Sequence, residues 1–148
     1  MEVITPEAAH VFKWVALAKE FTSEAIETYN WGFNEENLHT TYFLWDKKDW
    51  GWLLQDGDEI VGCLAGMVTP HFFNYDNLFF NEFMWYVKPD YRSQGGGLLL
   101  YRALVKRCKE KNVKRIVMGH TSYMIMEFEQ LYEKLGFTYL QTNYEKVL

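Results

Sequence analysis

Three consecutive glycines, Gly95–Gly97, join a predicted strand to a predicted helix. An apolar run ends at Val87, and from Gly97 to Lys111 the apolar residues recur with helical spacing. The first N–H groups of a helix have no intrahelical partner, and the helix dipole makes that end attractive to anions. Glycines also let a ligand approach the backbone without meeting Cβ atoms. This junction predicts a site for phosphate or pyrophosphate, with an ordinary strand-to-helix turn as the alternative.

Two common phosphate motifs do not fit this segment. A Walker loop requires G-x-x-x-x-G-K-[ST], and no Lys-Ser or Lys-Thr pair follows these glycines. A Rossmann fingerprint requires a third glycine at the position that Leu100 occupies. The segment therefore predicts an anion site of a different kind.

The remaining elements follow from periodicity and turn residues. Thr5 and Pro6 begin a first helix that runs to about Lys19, and Asn34 caps a second helix through about Trp45. The turn Asp56-Gly57-Asp58-Glu59 between two strand patterns is a hairpin signal. The predicted strands are Val3–Thr5, Trp50–Gln55, Ile60–Thr69, Leu78–Val87, Arg115–Gly119 and Phe137–Val147, with a loop at Pro70–Asn77 and helices at Gly97–Lys111 and Met126–Leu135. Asn112 is expected to end the first of these helices as a left-handed cap, and Gly136 to end the second. No linker divides the 148 residues, which predicts one domain over 1–148.

Composition argues against several classes of protein. No apolar run approaches about 18 residues, so no membrane span is predicted. No basic stretch followed by an apolar one opens the chain, so we expect a cytoplasmic protein without a signal peptide. The net charge of −5 argues against general nucleic-acid binding. That charge is uneven, because residues 1–74 hold 4 Lys/Arg and 12 Asp/Glu whereas residues 75–148 hold 11 and 8. The two halves suit ligands of opposite charge, or else are solvated faces.

The thiols and imidazoles show no catalytic or metal-binding motif. Cys63 and Cys108 each lie in an apolar periodic segment, which predicts buried, reduced thiols without a disulfide. No adjacent His supports a Cys nucleophile. The four histidines, His10, His39, His71 and His120, lie outside any zinc motif. No metal is therefore expected.

The glycine segment resembles the acetyl-CoA motif of the GCN5-related N-acetyltransferases (GNAT), R/Q-x-x-G-x-G/A preceded by V-x-P. Here the motif is Arg92-Ser93-Gln94-Gly95-Gly96-Gly97, after Val87-Lys88-Pro89. A second family signature, L-Y-x-x-x-G-F, is matched by Leu131-Tyr132-Glu133-Lys134-Leu135-Gly136-Phe137. The strand Glu82-Phe83-Met84-Trp85-Tyr86-Val87 also resembles that of small GNAT proteins encoded by bacteriophages. With both motifs in this order, the chain is identified as a member of the family.

The resemblance implies a fold and an activity. The fold is an α/β (α+β) domain in which helices flank a central sheet that is mixed, mostly antiparallel and twisted. The activity is transfer of an acetyl group from acetyl-CoA, without a metal, to a primary amine by direct attack in a ternary complex. The acceptor is a small molecule or a peptide, and a homodimer is compatible with the fold. The alternative is a GNAT fold retained as a non-catalytic acyl-CoA-binding or protein-interaction module.

The resemblance also implies which residues hold the co-substrate. The backbone N–H groups of Gln94, Gly95, Gly97 and Leu98 are expected to bind the pyrophosphate, with Arg92 nearby. The pantetheine arm is expected to lie along the strand at Tyr86 and Val87. The Val87 amide would donate to the thioester carbonyl and stabilise the charge that develops there during attack. The expected cofactor-binding residues are Tyr86, Val87, Arg92, Gln94, Gly95, Gly96, Gly97 and Leu98.

Two residues are candidates for proton transfer. Tyr132 falls on the family's general-acid tyrosine, which would protonate the departing thiolate; a packing role is the alternative. Glu82 is the candidate general base, because an amine nucleophile must lose a proton. Unbroken strand alternation would place Glu82 and Val87 on opposite faces, and only a bulge would bring them to one face. A solvated or salt-bridged Glu82 is nearly as well supported.

Two positions depart from the family pattern. Gly96 stands where a branched apolar residue is usual, which would loosen the turn. Ile125 stands where an Asn that contacts the cofactor arm is usual. Thr121 or Ser122 would then have to supply that contact.

The acceptor site is expected at the first helices and the loop before the central strand. Acidic residues beside aromatic rings in these segments suit an ammonium group, through charge and cation–π attraction. The rings concerned are Trp31, Phe33, Tyr42, Trp45, Phe72, Phe73 and Tyr75, and for most of them core packing is the simpler interpretation. His71 and His120 are candidates for the border of the cleft.

Overall fold

The computed structural model describes residues 1–25, 32–46, 50–120, 125–143 and 146. In chain order the strands are β1 (Glu2–Ile4), β2 (Gly51–Asp56), β3 (Glu59–His71), β4 (Asn74–Val87) and β5 (Arg115–Val117). The helices are α1 (Val11–Ala25), α2 (Glu35–Asp46), α3 (Pro89–Arg92), α4 (Gly96–Glu110) and α5 (Ile125–Lys134), and a 3₁₀ turn at Ala8–His10 precedes α1. Within these ranges no helix is long and apolar enough to cross a membrane.

The five strands form one sheet in the order β1-β2-β3-β4-β5. Neighbouring strands are antiparallel except β4 and β5, which are parallel. The predicted mixed, mostly antiparallel sheet flanked by helices is therefore confirmed. The predicted hairpin joins β2 to β3, and Gly57 supplies the positive φ of 58° in its turn.

The prediction of a loop at Pro70–Asn77 is wrong, because β3 continues to His71 and β4 begins at Asn74, so the two strands form a hairpin there. Pro70 pairs with Leu78, and His71 pairs with Asn74. β2 accompanies β3 only as far as Ala65, so Pro70 lies in a two-stranded ribbon beyond the main sheet. A proline is tolerated there because its missing N–H would face no described neighbour.

The chain after α5 also differs from the prediction. Residues 137–143 and 146, the described part of the strand predicted at Phe137–Val147, lie outside any strand. The Phe137 ring instead packs 5.9 Å from Tyr101 and 5.3 Å from Tyr132, between centroids. At the other end of the chain, the predicted helix start at Thr5 and Pro6 is wrong, because the 3₁₀ turn begins at Ala8 and α1 only at Val11. α1 also continues past the predicted stop near Lys19.

Several helix limits lie where the sequence predicts them. The Asn34 side chain accepts the Asn37 N–H at 2.9 Å and so caps α2. Asn112 (φ 55°) ends α4 and Gly136 (φ 82°) ends α5, both in the left-handed region. Gly95, with a φ of 81°, directly precedes α4. The direction of α4 is thus set by a glycine of the predicted anion site.

Two apolar cores lie on opposite faces of the sheet. One face packs on α1 and α2, where Trp14 Nε1 donates to Cys63 Sγ at 3.2 Å and the Tyr42 hydroxyl donates to the Glu7 carbonyl at 2.6 Å. The other face packs on α4 through fully buried Leu54, Leu64, Phe80, Leu100 and Leu104. Each buried leucine stabilises the fold by about 2 kcal/mol. This second core holds α4 on the sheet and places the glycine turn beside the end of β4.

A β-bulge interrupts β4 at Phe83. Met84 pairs with Ala65, but the next residue of β3, Gly66, pairs with Glu82, which leaves Phe83 as the extra residue. Gly66 is required at this position, because a Cβ there would collide with the Phe80 ring and the Asn81 carbonyl. The bulge is therefore built into the packing of the sheet.

Candidate active site

The bulge brings Glu82 to the face of β4 that also carries Trp85 and Val87. Their partners on β3 are Gly66, Leu64 and Gly62, alternate residues that share one face of that strand. Leu64 and Val87 belong to the core against α4, so this is the face toward the glycine turn. Of the two placements considered for Glu82, the structure therefore shows the one that needs a bulge.

β4 and β5 diverge next to this face. β5 pairs with β4 only at Phe79–Asn81. From Glu82 to Val87, β4 has β3 on one side and no strand on the other within the described chain. An unpaired strand edge offers main-chain N–H and C=O groups to an extended ligand. The opening therefore suits an elongated molecule that carries amide groups.

Val87 and Trp85 direct their main-chain groups into this opening. Lys88 N–H donates to the Val61 carbonyl at 2.9 Å, so the main chain of Lys88 faces β3. Hydrogen-bonded and non-hydrogen-bonded pairs alternate along an antiparallel ladder. The main chain of Tyr86, expected at the open edge, consequently faces β3, whereas Val87 and Trp85 face away from it.

Glu24, near the end of α1, joins two of the expected cofactor-binding residues. Arg92 Nη2 lies 2.6 and 2.8 Å from the two Glu24 carboxylate oxygens, and Arg92 Nε donates to the Val87 carbonyl at 2.8 Å. The Tyr86 hydroxyl donates to Glu24 Oε2 at 3.0 Å. Burial, together with this bond to Glu24, raises the pKa of Tyr86 to about 12, so the phenol stays neutral. Arg92, expected beside the pyrophosphate, is thus held on α1 and β4.

The glycine turn exposes the first N–H groups of α4. The first bond of the helix runs from Leu99 N–H to the Gly95 carbonyl at 3.2 Å, so the N–H groups of residues 96–98 precede the hydrogen-bonded turns. The N–H groups of Gln94 and Gly95, also expected to bind the anion, donate to the carbonyls of Tyr91 (3.2 Å) and Arg92 (3.4 Å). Of the four expected N–H donors, those of Gly97 and Leu98 therefore precede the hydrogen-bonded turns, and those of Gln94 and Gly95 close the turn.

Gly96 has a packing reason to be glycine. It is buried, and a Cβ at this position would lie 2.6 Å from Leu54 Cδ2 and 3.5 Å from Val87 Cγ1. The leucine fills the space that a branched side chain at position 96 would need. The departure from the family pattern therefore brings α4 close to the sheet at the point where the turn meets β4.

Glu82 and Tyr132 meet at Gly119, just beyond β5. The Gly119 N–H donates to Glu82 Oε2 at 3.4 Å, and the Tyr132 hydroxyl donates to the Gly119 carbonyl at 2.7 Å. Tyr132 comes from α5 and Glu82 from the bulge of β4, so a helix and a strand that are distant in sequence both contribute a side chain at the open edge. The two residues predicted for proton transfer are thus brought together.

Burial raises the pKa of both Glu82 and Tyr132. It raises the pKa of Glu82 to about 7, and the hydrogen bond from Gly119 opposes part of that shift. Burial, and after it the charge of Glu82, raise the pKa of Tyr132 well above its usual range. Near neutral pH, Glu82 can therefore accept a proton and Tyr132 holds one that it can donate.

Aromatic rings border the pair. His120 stacks on Tyr132 with centroids 6.1 Å apart and on Phe128 at 6.4 Å. His71, the other candidate histidine, stacks on Phe79 at 5.0 Å near the end of the β3–β4 hairpin. Of the two histidines, His120 is the one in contact with Tyr132.

The rings expected at the acceptor site divide into several groups. Tyr42 is fully buried in the core, and Phe33 packs against that core. Phe72, Phe73 and Tyr75 are 78%, 86% and 71% exposed at the hairpin end. Trp31 lies outside the described residues, as do the Trp45 side chain, Thr121 and Ser122. For Tyr42 and Phe33 the structure therefore shows core packing.

Both thiols are buried, as predicted. Burial raises the pKa of Cys63 to about 12 and that of Cys108 to about 11, so both stay protonated at neutral pH. In the part of the chain that the structure describes, no group of three or more His, Cys, Asp or Glu side chains could hold a metal ion.

Three residues of the site have no sequence signature of their own. Glu24 is distant in sequence from Arg92, and only the fold brings them together. Gly119 contributes main-chain atoms, which no motif reports. Trp85 was visible only as part of an apolar strand, and its contacts with α4 and α5 depend on the direction of its side chain.

Comparison with known proteins agrees with this geometry. Residues 14–137 match the model of the acetyltransferase (GNAT) family. An acetyltransferase from Trypanosoma brucei superposes with a TM-score of 0.73 at 18% identity, over 99% of each chain. A predicted acetyltransferase from Clostridium acetobutylicum, solved with acetyl-CoA, gives 0.76 at 16% identity, over 99% of this chain and 95% of that one. An aminoglycoside acetyltransferase from an uncultured soil metagenomic sample, solved with sisomicin, gives 0.76 at 14%, with the same coverage.

No curated protein matches the chain. The solved structures, all below 25% identity, share its fold. The family match includes β4, the glycine turn and Tyr132, which are the parts that meet at the open edge. The resemblance to phage-encoded members stays a prediction. The chain belongs to the GNAT family of acetyltransferases, enzymes that use acetyl-CoA as co-substrate.

Proposed function

We propose that the protein transfers the acetyl group of acetyl-CoA to a primary amine by direct attack at the open edge of β4. The observation that carries this proposal is convergence: the free helix N–H groups, the outward Val87 amide, Glu82 and Tyr132 all lie around one opening. Holding both substrates in that opening would supply much of the rate enhancement.

The co-substrate would bind in two parts. The N–H groups of residues 96–98 and the dipole of α4 suit the pyrophosphate, and the open edge of β4 suits the amides of pantetheine. The Val87 N–H would donate to the thioester carbonyl oxygen, where negative charge develops during attack. Arg92 would support this donor indirectly, since it binds the Val87 carbonyl.

Proton transfer would involve Glu82 and Tyr132. An alkyl ammonium has a pKa near 10, so the acceptor must lose a proton before it can attack. Glu82, directly or through a water molecule, would take that proton, and the nitrogen would then bond to the thioester carbon. As the C–S bond breaks, Tyr132 would protonate the leaving sulfur; the second proton lost by the nitrogen would go to solvent, and solvent would return a proton to Tyr132. The raised pKa of Glu82 suits a base that acts near neutral pH, whereas Tyr132 is protonated at neutral pH with or without its own shift.

The class of acceptor is a small molecule or a peptide that carries a primary amine. The aminoglycoside acetyltransferase named above, which has a similar fold, was solved in complex with sisomicin. In this chain the acidic excess of residues 1–74 supports a cationic acceptor. The helices α1 and α2, which hold part of that acidic charge, pack on the face of the sheet opposite to α4. This part of the charge therefore lies across the sheet from Glu82.

Two measurements test the proposal. Isothermal titration with acetyl-CoA should show saturable binding, and an amine panel should release free CoA thiol when enzyme and acetyl-CoA are both present. Absence of binding at millimolar acetyl-CoA would refute the proposed site. Tight binding without thiol release across small-molecule and peptide amines would instead favour the non-catalytic module.

A further inference from the structure

The Trp85 side chain lies between the glycine turn and Tyr132. On one side its ring stacks on Tyr101 of α4, with centroids 6.2 Å apart and planes inclined by 28°. It also contacts Tyr132 of α5 at 6.4 Å and 33°. The indole is therefore held in one orientation by rings from two helices.

The nitrogen-bearing edge of this indole faces the start of α4. A Cβ built on Gly97 would lie 3.5 Å from Trp85 Cζ2 and 3.6 Å from Trp85 Nε1. Gly97 is in the first turn of α4, whose N–H groups precede the hydrogen-bonded part of the helix. The indole N–H thus lies next to the backbone donors proposed for the pyrophosphate.

This indole N–H is a donor without an acceptor among the described residues. Trp85 is only partly exposed, and its Nε1 donates to no acceptor in the described part of the chain, whereas Trp14 Nε1 donates to Cys63. Buried tryptophan N–H groups usually have a hydrogen-bond partner. A fixed donor beside other free donors is suited to a ligand oxygen.

We infer that the Trp85 indole N–H binds an oxygen of the CoA moiety, either on the pyrophosphate or on a pantetheine carbonyl. This inference rests on the proposed function, since it assigns a side-chain donor to the same co-substrate site. Trp85 then contributes twice to the site, through its outward main chain at the β4 edge and through its indole nitrogen. Its ring contact with Tyr132 also connects co-substrate binding to the candidate acid.

The test is a comparison of Trp85→Phe with the unchanged protein. Phenylalanine keeps an aromatic ring in the stack but removes the N–H donor together with part of the indole, and the control below makes the same truncation elsewhere. We expect CoA to bind about 10-fold more weakly, the usual effect of losing a hydrogen bond to a charged or strongly polar acceptor. Titration with ADP and with pantetheine separates the two acceptors: a loss for ADP assigns the pyrophosphate, and a loss for pantetheine assigns the arm.

Trp50→Phe is the matched control. Trp50 is also partly buried, but its ring packs on Trp52 and Phe80. The Trp50→Phe protein should therefore bind CoA with the affinity of the unchanged protein. Equal CoA affinity of Trp85→Phe and the unchanged protein would overturn the inference while leaving the proposed function intact. No CoA binding by the unchanged protein would instead refute the proposed function itself.

A second measurement, an NMR titration, uses the unchanged protein and so does not depend on the folding of a variant. The protein has 6 Trp, so a ¹⁵N spectrum should show six indole N–H signals. Selective labelling assigns the indole signal of Trp85. Its proton should shift downfield when CoA is added, as expected for a new hydrogen bond. An unchanged Trp85 signal at saturating CoA would overturn the inference.

Discussion

Glu82 and Tyr132 bind the same residue from two sides: the Gly119 N–H donates to the Glu82 carboxylate at 3.4 Å, and the Gly119 carbonyl accepts from the Tyr132 hydroxyl at 2.7 Å. Acetyl transfer needs opposite protonation states in these groups, because the base must be deprotonated and the acid must be protonated. Burial raises both pKa values, and the charge of Glu82 raises that of Tyr132 further. Near neutral pH, Tyr132 is therefore fully protonated while Glu82 is partly ionised.

Tyr132→Phe tests the acid. We expect kcat to fall about 100-fold, the usual effect of removing one positioned proton donor. CoA affinity should change less than about 2-fold, because the ring and its contacts with Trp85 and Phe137 remain. Steady-state thiol release and isothermal titration measure the two quantities.

Tyr139→Phe is the control for that substitution. Tyr139 is 81% exposed, and the same loss of a hydroxyl there should leave kcat unchanged. An unchanged kcat in Tyr132→Phe would remove Tyr132 from the proton-transfer role and leave it as a packing residue.

The pH dependence of the rate tests Glu82. A base must be ionised to act, so kcat should rise with pH through a midpoint near the Glu82 pKa of about 7. Glu82→Gln should lower kcat and remove this limb, while its amide oxygen can still accept the Gly119 N–H. A wild-type profile that is flat between pH 6 and pH 8 (about one unit on each side of that pKa) would exclude Glu82 as the base.

Stability should depend on pH through the same group. The Glu82 pKa is higher in the folded protein than its ordinary value of 4.5, so the folded state holds this proton more tightly. As pH rises from about 4.5 to about 7, the unfolded chain loses the proton first and this group destabilises the fold; above pH 7 its effect is constant. The Tm of Glu82→Gln relative to wild type should therefore increase across that window and then level off. Calorimetry at pH 5, 7 and 8.5 (about the two ends of the window and beyond) checks this.

The three glycines should respond differently to alanine. Gly95 has a φ of 81°, so Gly95→Ala should destabilise the protein by about 1–2 kcal/mol. Gly97 has ordinary φ, and its added methyl would make normal contact with Trp85 at 3.5 Å, so Gly97→Ala should keep the stability. That methyl would nevertheless cover the donors at the start of α4, and CoA affinity should fall about 10-fold or more.

Thermal melts and CoA titrations of both variants separate these effects. Gly96→Ala is the intermediate case, because its methyl would meet the flexible end of Leu54 at 2.6 Å and the leucine can move. Unchanged CoA affinity in Gly97→Ala would contradict the proposed position of the pyrophosphate.

Local signals in the sequence predict most of the fold. The hairpin turn at Gly57, the cap at Asn34 and the left-handed residues Asn112 and Gly136 depend on neighbouring residues only, and all four are in place. The hairpin at 71–74 was missed because Pro70 favours a break, and it is tolerated only where β2 no longer accompanies β3. That condition is a property of the sheet and not of the segment.

The site could be predicted where it depends on main-chain motifs. The junction of strand, glycines and helix predicts the anion site, the resemblance to the GNAT family implies the role of Tyr132, and both lie at the open edge. The face of Glu82 depends on a bulge, and the bulge depends on contacts of Gly66 with Phe80 and Asn81 across two strands. The direction of Arg92 depends on Glu24 in a distant helix. Contacts between remote segments, which no local pattern encodes, account for the unpredicted part.

Arg92→Lys tests whether Arg92 holds the fold of the site or binds the co-substrate. Lysine can keep a charge near Glu24 but loses the planar group that also binds the Val87 carbonyl. We expect the free energy of unfolding to fall by about 1 kcal/mol and CoA affinity to change less than about 3-fold, because the guanidinium is already engaged by Glu24 and Val87. Arg102→Lys, at an exposed position of α4, is the matched control and should change neither quantity. A large loss of CoA affinity with unchanged stability would show that Arg92 leaves Glu24 to bind the pyrophosphate, and the ion pair would then be a feature of the free enzyme alone.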